Sequence, residues 1–270
     1  MMQPMSRVRA VFGPVHYRPT TAWGPIRALV AMEVVAALAA LVAMALWFGT
    51  FLAGYTTTTS GPCLPTSPTD KTCSVTFTIS PQLPALVALL LFDVLVVGAA
   101  WRLAKRGGLR ATDVLALRAP LGGIRGAIAV GAVMAAALAI ETAAAPYYAA
   151  ASASATRLIA ELVRQGGWAL AVLTVGIAAP VAEEVWLRGF LMSALAKSRL
   201  GFWPAGLLTA LLFAVLHAAQ YALILLVPIF VLGLVLTWAL GLTGSLWVPI
   251  ALHMANNLIG LFLLWMWPPL

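Results

Sequence analysis

Charge is what this sequence has least of. Lys and Arg number 16 and Asp and Glu 8, together 9% of 270 residues, against about 25% in ordinary soluble domains. So few charged side chains do not cover the surface of a soluble domain of this length, which excludes one. Acidic residues are the scarcer kind, and the net charge is +8. A basic balance attracts any polyanion. Here, however, Lys and Arg flank apolar segments and do not cluster with interleaved aromatics, so lipid headgroups and topology are the reading and no nucleic acid is expected. Cysteine is confined to Cys63 and Cys73. No histidine accompanies them, which argues against a metal pair.

Apolar residues make up 63% of the chain and the mean hydropathy is +1.00. The solvent is therefore a lipid bilayer, and an all-α polytopic membrane protein follows, because a helix of about 20 apolar residues crosses the hydrocarbon core. Residues 1–26 read as a cytoplasmic arm and 27–270 as one helical membrane domain. About seven spans are expected: Ala28 to Phe51, Leu83 to Trp101, Ile124 to Ala145, Trp168 to Ala196, Trp203 to about Ala219, about Leu223 to Leu242, and Leu246 to Met266. Residues 54–82 are rich in Thr, Ser, Pro and Gly and read as an aqueous loop of turns and extended chain. A short interfacial helix is expected between Tyr147 and Gln165.

With the N-terminus inside, twelve Lys and Arg fall on the inner side, while Lys71, Arg157 and Arg164 fall outside and Arg188 lies within a span. This asymmetry predicts a multi-pass protein of the cell membrane with a cytoplasmic N-terminus and an outer C-terminus. Cys63 and Cys73 then share the outer loop, where the oxidising face predicts a disulfide between them.

Ionisable groups inside spans cost about 2.5–3.5 kcal/mol each by insertion scales, so each needs a reason. Glu33 sits near headgroup level. Asp93 and Glu141 lie deeper and are expected to bond across helices or to pair with an arginine. The dense cases are in the last four spans. Glu184 and Arg188 are four apart, so they share a helix face and can pair. Glu183 is rotated about 100° from Glu184, and a desolvated carboxylate without a partner is a candidate general base. His253 and Asn257, also four apart, offer two donors to a developing oxyanion. Phe213 can pack beneath His217 and fix its direction. At ~1.5 Å rise per residue, Glu183, His217, His253 and Asn257 fall at overlapping depths, and Pro180 can bend the helix one turn before the glutamates.

The stretches Glu183-Glu184-Val185-Trp186-Leu187-Arg188-Gly189, Phe213 to His217, and His253-Met254-Ala255-Asn256-Asn257 resemble the EExxxR, FxxxH and HxxxN motifs of the CAAX-protease and bacteriocin-processing family. The resemblance covers about residues 168–260. It implies an intramembrane endopeptidase acting on a peptide or membrane-protein substrate. Glu183 would be the base, His217 would help hold the water, and His253 with Asn257 would form the oxyanion hole; Glu184, Arg188, Phe213 and Asn256 would give structural support. No cofactor is expected. The zinc alternative uses Glu183, His217 and His253, and is disfavoured because HExxH is absent and no carboxylate is evident to orient each histidine. Two other readings remain: a non-proteolytic membrane scaffold or regulator of a partner protein, and a proton-coupled transporter through Asp93, Glu141 and Glu183. Neither inverted repeats nor paired broken helices support transport.

Overall fold

In the computed structural model, residues 56–61, 73–78, 82–105, 110–121, 128, 130–136, 138–139, 159–160, 163, 167–218 and 221–266 are described. The membrane part is helical. Helix α1 is Gln82–Lys105 and α2 the short Ala111–Val114. Helix α3 runs Trp168–Ala196, α4 Phe202–Leu216, α5 Leu226–Thr243 after a 3₁₀ turn at Leu223–Leu225, and α6 Trp247–Met266.

Four stretches are long and apolar enough to cross a bilayer: Leu86–Lys105, Trp168–Ala196, Leu223–Thr243 and Trp247–Met266. With bilayer-length apolar helices on this scale, the protein is integral to a membrane. The expected first span and the interfacial helix around Glu161 lie outside the described residues or nearly so. Of the expected third span, residues 128, 130–136 and 138–139 are described, and they are helical. Helix α4 is shorter than expected. It ends at Leu216, and His217 is its C-cap.

The loop over residues 54–82 holds more order than turn-forming composition suggested. Strand β1, Thr56–Gly61, pairs antiparallel with β2, Cys73–Thr78, with Thr57 opposite Phe77 and Gly61 opposite Cys73. Threonine is β-branched and favours a pleated strand, and four in a row outweigh the Pro and Gly that follow. Cys63 lies outside the described residues, and so does its expected pairing with Cys73.

Helix α3 is the centre of the packing. Helix α1 lies along it through Leu86, Asp93, Val96, Ala100 and Ala104, all buried, at spacings that keep one stripe facing the partner. Alanine at the last two positions lets the backbones approach, the usual device where lipid supplies no hydrophobic drive between helices. The same economy of size joins α4 to α5. A Cβ on Gly206 would stand 2.4 Å from Thr237 Cγ2, and one on Gly233 3.1 Å from Ala210 Cα. The segment after α2 is tied to the α5–α6 turn by backbone bonds from Leu246 N to Ala116 O (2.9 Å) and Leu121 N to Thr243 O (2.8 Å). Arg118 Nε adds a bond to Gly244 O at 2.7 Å. These ties fix the start of α6, and hence the register of His253 against α3.

Candidate active site

Helix α3 is not α-helical throughout. Two π-helical stretches, Val172–Ala178 and Val185–Leu191, enclose the α-helical Ala179–Glu184. Such insertions are rare and concentrate at functional sites. In the first, the Ala179 N–H reaches back five residues to Thr174 O. The next bond in that pattern would run from residue 180 to Val175 O, and Pro180 has no N–H. The Val175 carbonyl is thus left for another donor, and Asn257 Nδ2 supplies it at 2.9 Å. Pro180 therefore acts one turn before the glutamates by ending a π stretch.

The adjacent glutamates have different surroundings. Glu184 is fully buried, and its Oε1 accepts from Arg188 Nη1 at 2.7 Å and from His253 Nδ1 at 3.0 Å. Arg188, equally buried, donates from Nη2 to Gly233 O at 3.3 Å and lies 4.7 Å over the Phe213 ring. Charge is thereby matched, as a buried ion pair requires, although Glu184 Oε2 and Arg188 Nε stay without a hydrogen-bond partner among the described residues. Glu183 points elsewhere. Its side chain is 32% exposed and its Oε2 stands 3.8 Å from His253 Nε2, too far for a hydrogen bond. That oxygen is buried without a hydrogen-bond partner.

Both histidines are oriented through Nδ1. A carboxylate only accepts, so His253 donates from Nδ1 to Glu184 and turns Nε2 toward Glu183. His217 Nδ1 donates to Phe213 O at 2.7 Å, which leaves its Nε2 as an acceptor in the neutral ring. Phe213, buried, stands edge-on to both imidazoles, 4.8 Å from His217 and 5.4 Å from His253 between ring centroids. Asn256 Nδ2 donates to Asn257 Oδ1 at 3.3 Å.

One expectation is overturned for His253 alone. A carboxylate does orient it, Glu184, which spacing alone assigned to Arg188 only, whereas His217 is oriented by a backbone carbonyl, which no side-chain pattern discloses. Both are partners of the kind that metal-bound histidines use. Yet Glu183, His217 and His253 do not converge: among the described residues no three His, Cys, Asp or Glu are grouped closely enough to hold a metal ion.

Asp93 also departs from expectation. It is buried on the α1 stripe against α3, with Oδ2 lacking a hydrogen-bond partner and no arginine paired to it among the described residues. It lies within electrostatic reach of Glu183. Glu141 lies outside the described residues.

Residues 165–259 match the family described as type II CAAX prenyl endopeptidase Rce1-like. The similarity lies in this C-terminal segment, about a third of the chain. The matched stretch includes every residue of the three motifs, so the resemblance carried by them holds, while α1 and the β1–β2 hairpin fall outside it. Among curated proteins the chain is similar to an uncharacterised 24.3 kDa protein of Escherichia coli, 35% identical over 94 residues, covering 34% of this chain and 43% of the relative. The chain thus spans less than half the length of that relative. No solved structure matches.

Proposed function

We propose that this protein is an intramembrane endopeptidase that hydrolyses a peptide bond with a water activated by Glu183. The observation that carries the reading is the contrast between two neighbouring carboxylates: Glu184 is fully buried with Oε1 held by Arg188 and His253, while Glu183 is 32% exposed and has no partner at hydrogen-bonding distance among the described residues. The Rce1-like match supports the reaction class.

In this mechanism Glu183 takes a proton from water as the water oxygen bonds to the scissile carbonyl carbon, and the carbonyl electron pair moves onto oxygen. Asn257 has a second amide hydrogen beyond the one given to Val175, and this donates to the oxyanion. His253 becomes a donor there only once Nε2 is protonated, and Glu183, 3.8 Å away, is the group that can hand it the proton. The proton then passes to the departing nitrogen as the C–N bond breaks. His217, through the free Nε2, helps hold the water. No step is routed through a metal. The substrate is a peptide or a membrane-protein segment, and the enzyme resides in the cell membrane with its N-terminus in the cytoplasm, on the strength of the Lys and Arg asymmetry.

The test is Glu183→Gln in the purified full-length protein. Gln is nearly isosteric and cannot accept the proton, so the variant should keep the wild-type fold and thermal midpoint and lose cleavage of a verified substrate. Wild-type cleavage by Glu183→Gln would remove the proteolytic reading and leave the scaffold ahead.

A further inference from the structure

Asp93 belongs to the part of the chain that the Rce1-like match does not reach, yet it sits where the chemistry is. Counting ~1.5 Å per residue, it lies about 18 Å along α1 from Lys105, and Glu183 about 21 Å along α3 from Lys197. The two carboxyls are therefore at one level, on helices packed against each other. Asp93 is 3% exposed. Its Oδ2 and Glu183 Oε2 are both buried without a hydrogen-bond partner.

An unpartnered buried carboxyl at the level of another is costly and serves no packing purpose; leucine would fill the same space. Two carboxyl oxygens that both lack a donor are reconciled by a group that donates twice. A water molecule has two O–H bonds and is such a group. We propose that Asp93 is a positioning residue of the proteolytic site, set across the α1–α3 contact from Glu183 to accept a hydrogen bond from the same water that Glu183 deprotonates. One hydrogen leaves to Glu183 as a proton. The other stays on the oxygen and is held by Asp93, which aims a lone pair at the scissile carbon. The N-terminal half of the chain then contributes to the reaction itself. The inference rests on the protease reading above.

Asp93→Leu and Asp93→Asn are measured beside Glu183→Gln for thermal midpoint, kcat and KM on one verified substrate. Asp93→Leu should fold with a midpoint equal to or above wild type, because an orphaned polar group is gone, while kcat falls about tenfold to a hundredfold from a misdirected water. Asp93→Asn keeps one acceptor oxygen and should recover part of that loss, and KM should stay within about twofold throughout, since ground-state binding is untouched. A wild-type kcat in Asp93→Leu overturns the inference, and so does a kcat loss accompanied by a lowered midpoint or failure to fold in both variants, which marks a structural residue. Loss of cleavage in Glu183→Gln with full activity in Asp93→Leu rejects the role of Asp93 alone; full activity in both rejects the protease reading itself.

Discussion

Asn257 of α6 donates to the carbonyl of Val175 in α3, the carbonyl that Pro180 leaves without a backbone donor. A side chain of the HxxxN motif therefore closes a gap that a proline opens five residues further along another helix.

The linkage makes Asn257→Ala a double loss. It should lower stability by about 0.5–1.5 kcal/mol through the stranded carbonyl and, on the proposed mechanism, slow cleavage by about 10²–10³. Pro180→Ala returns an N–H to position 180, so the stability cost of Asn257→Ala should shrink in that background. Thermal unfolding of the four proteins of the cycle reads the coupling, and strictly additive losses would show that Pro180 and Asn257 act independently.

Arg188 holds Glu184, the Gly233 carbonyl and the Phe213 face at once, all in the buried core. Arg188→Ala leaves Glu184 as a buried charge matched only by His253, at a cost of about 3–5 kcal/mol. Yield and thermal midpoint should drop together with activity. A stable, inactive Arg188→Ala would instead place the guanidinium in substrate binding.

Long helices were legible in the sequence because lipid demands unbroken apolar runs, and α3 begins and ends at the expected Trp168 and Ala196. The end of α4 was not, since no charge or proline marks the chain where it stops at His217. Within the site, four-residue spacings show which residues share a face of one helix, such as Glu184 with Arg188 and Phe213 with His217. They say nothing of partners on other helices. The bond between Glu184 and His253 joins residues 69 apart, and the burial of Asp93 comes from the packing of α1 against α3. The π stretches have no side-chain signature of their own. Only Pro180, placed where a five-residue bond would need its N–H, hinted at the first.

Orientation is open to direct measurement. A reporter fused after Leu270 should signal the outer compartment and one inserted near Gly107 the inner one, because twelve of the 16 Lys and Arg fall on the inner side of the seven-span arrangement. Opposite signals would overturn that arrangement, and two reporters on one side would remove a span between them.

The role of metal is decided by removal. Both histidines present Nε2 with Nδ1 bonded behind it, an arrangement compatible with a zinc ligand. Convergence is the missing element, because a catalytic zinc needs three protein ligands near 2 Å from one point, and no such group of three His, Cys, Asp or Glu is assembled among the described residues. His253 Nε2 instead faces Glu183 at 3.8 Å, a gap that must close by a small movement before a proton can pass between them. Cleavage by the purified protein should therefore survive prolonged treatment with a strong chelator, and added Zn²⁺ should bring no gain. Inhibition by the chelator with recovery on Zn²⁺ would make Glu183, His217 and His253 a ligand set that closes only in the working enzyme, and would replace the glutamate base with a metal-bound hydroxide.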